Sequence, residues 1–451
     1  MNDAFRKHYL LGVLLLILAF NIVDGQVLGL VLQNIKDDLH VTDTELGFLT
    51  GIAFAVFYSV VGIPIARWAD RGNRVLIIGL TTAVWSAAVS LCGMAANFTQ
   101  LLLIRIPVAV GESGCIPSAH SLIADYFGRA SRPRAVGIYM LGAYLGVVIG
   151  NFGAGWLNEL YGWRETFMLL GVPGLLLSAL AWTTLREPRL HSCDSADRES
   201  QAQARTPAAP GASSPTPGLR EVVVTLWSSR TFRHLLLGFS VVYFFGTGIG
   251  QWQPAFLIRS YGIKTGELGT WFALIYGIGG MVGTYLGGTW ASRNAANNER
   301  LQLKAIAVAY SSFGVLSTFT YLAPNLYLTL ALMGLSAVGI AMASGPLLAT
   351  IQTLVPERMR ALSIATIYLF ANLIGSGLGP LAVGALSDAL RPRLGGESLR
   401  YALLALSPGY FWVGWHLWRA SRSVTADLAA LHTDDPDGDD SEHVVANLSA
   451  R

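Results

Sequence analysis

Residues 62–74 read GIPIARWADRGNR, an apolar run that stops abruptly at Asp70, Arg71 and Arg74. Apolar residues extend from that stretch back to about residue 46 and resume from 75 to 95. A hydrocarbon core of roughly 30 Å takes about 20 apolar helical residues to cross, so the segment is a charged loop between two spanning helices. The same alternation recurs along all 451 residues, with apolar stretches near 9–32, 46–68, 75–95, 99–124, 134–156, 166–185, 233–257, 268–291, 303–323, 326–353, 361–387 and 400–418. Hydrophobic residues make up 53% of the chain and charged residues 13%, too few to clothe a soluble particle of this size. The predicted fold is an all-α membrane protein with twelve transmembrane helices.

The loop also has a partial copy. Ala69-Asp70-Arg71 is matched by Ala291-Ser292-Arg293, an offset of 222, and Arg132-Pro133-Arg134-Ala135 by Arg358-Met359-Arg360-Ala361, an offset of 226. Two matches at nearly one offset point to a duplicated six-span unit. Residues 189–218, rich in Ser, Ala, Pro and Gly, form a flexible linker between the copies. The expected organisation is a first six-helix bundle over 1–188, a linker over 189–229, a second bundle over 230–422 and an acidic tail over 423–451. Such a 6+6 parallel repeat is the architecture of rocker-type secondary transporters, which hold substrate between the halves near the midplane.

Charge sets the orientation. Arg6, Lys7, Arg67, Arg71, Arg74 and most other cations, through to Arg419 and Arg422, fall on the side of the N-terminus. The other side has Lys36, Arg164, Arg259, Lys264, Arg391, Arg393 and Arg400. The positive-inside rule then places both termini in the cytoplasm of a multi-pass protein of the cell inner (plasma) membrane. The net charge of +3 reflects this topology and carries no nucleic-acid meaning. Cys92, Cys115 and Cys193 make no disulfide framework. Gly142, Gly146 and Gly150 recur every four residues, as do Gly279, Gly283 and Gly287, with a similar run at Gly375, Gly379 and Gly384. Such spacing lets helices approach closely, so these helices are expected to form the sliding seams, with ordinary tight packing as the alternative.

Ionisable groups at a helix centre cost roughly 2.5–3.5 kcal/mol on insertion scales. Asp24, Arg105 and Glu112 pass that filter, all in the first half. Arg105 and Glu112 are seven residues apart and share a helix face about two turns apart. The second half offers Gln251, Gln253, Gln352, Tyr368 and Asn372 instead. The asymmetry assigns ion coupling to the first half, with Asp24 and Glu112 as proton carriers. Arg105 would tune one of them or receive an anionic substrate. The alternative is a buried Arg–carboxylate network that only fixes packing. His120, inside the fourth span, is a second candidate for charge tuning, since histidine titrates near neutral pH. Phe54, Tyr58, Tyr144, Gln251, Trp252, Tyr368 and Asn372 are candidates to line the cavity.

The segment 62–74, with Gly in the second span, then Asp-Arg, then Gly-x-Arg, resembles the loop signature of the major facilitator superfamily. The resemblance implies gating roles for Asp70, Arg71, Arg74, Asp125 and Arg293, none touching substrate; Ser292 replaces the Asp in the second copy and weakens that latch. The fourth span RIPVAVGESGCIPSAHSLIADYF (105–127), the seventh-span segment GIGQWQPAFLIRSYG (248–262) and residues 356–388 are similar to the spinster-like branch. That branch implies a lysolipid- or sphingolipid-like amphiphile as cargo. A small organic anion, a sugar acid or carboxylate moved with protons, is the alternative. One departure is that Gly25 follows Asp24 where the branch carries Asp-Arg. The chain has no phosphate-binding Gly-x-x-x-x-Gly-Lys, Gly-x-Ser-x-Gly or His-Glu-x-x-His. An ATP-driven pump and an intramembrane enzyme are therefore disfavoured, and neither cofactor nor metal is expected. The expected partners are the small-molecule or lipid substrate, protons and membrane lipids, acting on a monomer.

Overall fold

The computed structural model describes residues 3–128, 131–191, 227–295, 298–353 and 360–433. Cys193, most of the expected linker and the chain beyond 433 lie outside the described residues, as does Arg358.

Twelve helical crossings follow one another. α1 is Asp3–Leu39; α2 is Asp43–Thr50 continued by Ile52–Arg71. α3 is Arg74–Cys92, α4 Phe98–Tyr126, α5 Arg132–Tyr161 and α6 Trp163–Thr184. In the second half, α7 is Arg230–Tyr261 and α8 joins Thr265–Phe272 and Gly279–Asn294 through a π turn, Ala273–Ile278. α9 is Glu299–Leu322 and α10 Leu326–Thr353; α11 joins Arg360–Phe370 and Gly377–Leu394 through a second π turn, Ala371–Ser376; α12 is Ser398–Leu406 followed by Gly409–Thr433. Among the described residues, ten stretches are individually long and apolar enough to cross a bilayer. The longest, Thr366–Ala429, crosses twice, turning at Gly395, whose φ of 56° favours glycine. Residues 265–294 supply the remaining crossing, their glycines diluting an otherwise apolar run.

The loops stop and start helices by local chemistry. Thr42 and Glu45 form a reciprocal capping box at the head of α2, and Asn73, Asn97 and Asn298 cap α3, α4 and α9. Ser229 caps α7 and is itself held by Asp427, whose carboxylate accepts from Ser229 Oγ at 2.7 Å and from the Thr231 N–H at 2.9 Å. Asp427, within the expected acidic tail, lies in α12, which runs on to Thr433, and its carboxylate sits at the N-terminus of α7.

The distal face, opposite the termini, is where the halves meet. One continuous buried apolar cluster joins the second half to the distal part of the first. The proximal end of the first half has a separate cluster around Leu14, Ile78, Leu122 and Tyr139. The helices that carry the glycine runs, α5, α8 and α11, do line the seams between the halves, but most glycines of the runs face partners within their own half. A Cβ on Gly142 or Gly146 would lie 2.5 or 2.3 Å from α1 carbonyl oxygens, and one on Gly283 or Gly287 would lie 2.3 or 2.1 Å from α10 carbonyl oxygens. Those runs bind helices within a half. The seams between halves use other small residues: Gly51 against Gly377 on α2 and α11, and Gly155 against Gly269 on α5 and α8. Only Gly384, whose Cβ would meet the Asp43 carbonyl at 2.2 Å, belongs both to an expected run and to a seam.

Candidate functional site

Glu112 stands at the midpoint of α4, and Arg105 lies two turns toward the distal face. Arg105 Nη1 donates to both carboxylate oxygens of Asp24 on α1, at 2.9 and 2.7 Å. Asp24 is 2% exposed, Arg105 4% and Glu112 8%, so the interior holds three ionisable groups together. Glu112 sits beside Asp24 and Tyr58. Its Oε1, Arg105 Nε and Asn21 Nδ2 are buried with no protein hydrogen-bond partner. A buried polar atom without a partner costs about 1–3 kcal/mol.

Phe54 and Tyr58 on α2 cover the cluster, their rings 5.7 Å apart, with the Arg105 guanidinium 5.6 Å from the Phe54 centroid. His120 stacks edge-on to Tyr139 at 5.4 Å, farther along α4 toward the proximal face, and does not reach Arg105. Tyr144 bridges the halves by a hydrogen bond to Thr284 on α8. Gln251 packs its amide against Gly29 on α1. Trp252, expected to line the cavity, is fully buried, and its Nε1 donates to the Pro380 carbonyl at 2.9 Å; it wedges α7 against α11. Tyr368 meets Phe239 edge-on at 5.6 Å and Asn372 lies in the second π turn, both half-buried. Inside the second half, Tyr276 donates to Gln253 Oε1, and Gln253 Nε2 to Tyr321 at 3.4 Å, around a 40 Å³ cavity. Tyr276 follows Phe54 by the repeat offset of 222. The first half thus buries an ionisable cluster, and the second half a neutral hydrogen-bonded one.

A second constellation, not singled out from sequence, closes the distal face. Asp43 at the head of α2 accepts from Arg259 Nη1 at 2.8 Å and Nη2 at 2.7 Å, from Lys36, and from Ser387 Oγ at 2.7 Å. Asp388 on α11 accepts from the backbone N–H groups of Asp43 and Thr44 at 3.2 and 2.7 Å, at the N-terminus of α2. Beside it, Asn158 donates to Thr265, and Glu159 accepts from the Gly266 N–H at 2.8 Å. The signal was available: Lys36 and Arg259 are two of the few cations on the cation-poor side. Their mutual proximity was not.

On the proximal face, fully buried Arg74 meets Asp125 at 2.6 Å, and it also engages Glu187. Arg189 approaches Asp125 at 3.6 Å. Burial works against the Glu187 charge, but the Arg74 guanidinium and the backbone N–H groups of Arg74 and Arg189 prevail and hold its carboxyl below the usual range. These partners all belong to the first half. The Asp70 and Arg71 side chains lie outside the described residues; Arg293 is exposed at the end of α8.

A family model described as Major Facilitator Superfamily matches residues 14–394, across both bundles and both candidate sites. The chain belongs to the Major Facilitator Superfamily. Within that superfamily it is spinster-like. A crystal structure of a bacterial homologue of the human lysosomal transporter Spinster, inward-facing and unoccupied, superposes with a TM-score of 0.79 and 29% identity, over 94% of this chain and 98% of that one. An MFS-type efflux pump of Mycolicibacterium smegmatis (strain ATCC 700084 / mc(2)155) is 30% identical, covering 92% of this chain and 93% of its own length. A probable L-galactonate transporter of Escherichia coli (strain K12) is 27% identical over 85% and 82%. This major facilitator protein is a multi-pass membrane transporter of small-molecule substrates, and no enzyme.

Proposed function

We propose that the protein is a proton-coupled secondary transporter working by alternating access, with a lysolipid- or sphingolipid-like amphiphile as cargo. The observation that carries the coupling is Glu112: a carboxyl at the midpoint of α4, beside the Asp24–Arg105 pair, with one oxygen free of protein partners. Such a group can gain or lose a proton without breaking a protein hydrogen bond at that oxygen. Arg105 holds Asp24 in place and supplies the guanidinium that Gly25 does not.

The closed distal gate belongs to one end state, with access from the proximal face. Rocking about the α2–α11 and α5–α8 seams would break the Asp43–Arg259 bonds and open the other side. Asp70, Arg71, Arg74, Asp125 and Arg293 are gating residues of the proximal face. With the positive side inside, that face is cytoplasmic and the protein lies in the inner (plasma) membrane as a monomer. The likeness to the Spinster homologue supports the amphiphile. The L-galactonate relative, together with Arg105 as an anion receptor, supports the second reading, a sugar acid or carboxylate.

The test uses purified protein in vesicles with an imposed proton gradient, comparing wild type, Glu112→Gln and Asp24→Asn. Proton-driven uptake retained by both variants would refute the coupling. A thermal-stability screen across lysophospholipids, sphingoid bases and organic acids separates the cargo classes, because a ligand that binds the folded state raises the melting temperature.

A further inference from the structure

A 430 Å³ groove runs between α9 and α12 and shares no residue with the α2–α11 or α5–α8 seam. Its floor is the helix crossing at Ser311 and Gly414, where a Cβ on Gly414 would lie 2.2 Å from Ser311 Oγ. Glycine at that point lets α12 come down on α9, and the side chains above it stand apart as walls. Val315, Phe411, Trp415 and Trp418 form these walls and are 43%, 46%, 51% and 39% exposed. The serines do not make the groove polar. Ser311 and Ser312 donate to the Ala307 and Val308 carbonyls at 2.9 and 3.0 Å, so their hydroxyls are spent on their own helix.

The groove has a direction. At its proximal end Lys304 Nζ lies 5.8 Å from the Trp418 ring, and the Arg419 guanidinium lies 5.9 Å from the Trp415 ring. Val315 and Phe411 occupy the other end. Tryptophan with long cationic side chains is the composition of a bilayer headgroup boundary. An apolar slot below it accepts hydrocarbon, and two cations above it attract a phosphate.

We infer that this groove is a binding site for an anionic phospholipid of the surrounding leaflet. One acyl chain lies between α9 and α12, and the phosphate rests between Lys304 and Arg419. The volume falls in the range of small-molecule sites. The site is separate from the cargo pathway, because it lies outside both seams and away from Asp24, Arg105 and Glu112.

Native mass spectrometry tests the assignment on wild type, the double variant Lys304→Gln/Arg419→Gln, and Ser312→Phe, which fills the slot from a lipid-facing position. The probes are phosphatidylglycerol and phosphatidylcholine with identical chains. Wild type should retain phosphatidylglycerol preferentially, and each cation removed should lower that preference about fivefold. Ser312→Phe should lose both lipids; Val315→Trp repeats the test if Ser312→Phe does not purify as a monodisperse protein. Equal retention of the two lipids by wild type would overturn the proposal, as would unchanged retention in the variants. So would displacement of the bound lipid by a single-chain amphiphile that the protein transports, or disulfide-linked dimers formed through Ser312→Cys, which would assign the groove to cargo or to a second copy.

Discussion

Arg259 at the end of α7 grips Asp43 at the head of α2 with two parallel hydrogen bonds of 2.7 and 2.8 Å, one half of the protein holding the other. Asp43 is 1% exposed, so this is a desolvated pair at the point where a transporter must open. Lys36 supplies a second cation to the same carboxylate.

Asp43→Asn should therefore loosen the distal face. Removing one partner of a buried pair costs about 3–5 kcal/mol, and here the loss falls on the closed state alone. Spin labels on the distal ends of α1 and α7 should report a population shifted toward the distal-open state. An unchanged distance distribution would show that the apolar seams alone hold the gate.

Glycine to alanine at the seam should act in the same direction by a steric route. A Cβ at Gly384 meets the Asp43 carbonyl at 2.2 Å, whereas one at Gly288 meets nothing within 4 Å. Overpacking costs about 1–3 kcal/mol. Gly384→Ala should slow transport and favour the distal-open state, and Gly288→Ala should leave both as they are, measured by the same distances and by vesicle uptake.

Arg105→Ala should destabilise the fold by about 3–5 kcal/mol, since it strands Asp24 in the interior. Arg105→Ala combined with Asp24→Asn should recover most of that loss, because no buried charge remains unpaired. Thermal unfolding in detergent measures both. Proton-driven uptake should stay low in the double variant, which separates the structural contribution of the pair from its part in coupling.

Glu187 gives a pH signature on the proximal face. Its carboxyl is held below the ordinary range, so its contribution to stability is fully present above about pH 4.3, the usual glutamate value, and fades as pH falls through the lower folded value. Glu187→Gln should lower the melting temperature at pH 7, and the gap to wild type should close as the solution is acidified below about pH 4. A gap that persists under acid would mean that the loss comes from packing rather than charge.

The spans, their even number and the duplicated halves were legible because hydropathy and charge are local properties, written into each stretch of chain without reference to its neighbours. The three buried ionisable residues were legible for the same reason: a carboxylate such as Glu112 in a run of apolar residues is conspicuous wherever it packs. Which residues meet was not legible. Gly142 and Gly146 announce a close approach but not its partner, which proved to be α1 of the same half. Asp43 looks like a routine helix-start acid, and Asp427 like part of a solvated tail. The sequence alone determined a twelve-span, two-bundle protein with charge concentrated in the first bundle. The tertiary structure decided at which face the halves meet, that Asp24 and Arg105 are paired, and that Arg259 bonds Asp43 across the halves. Those depend on contacts between residues as many as 345 positions apart, and a bilayer selects helices one at a time while their pairing is settled by packing among all of them.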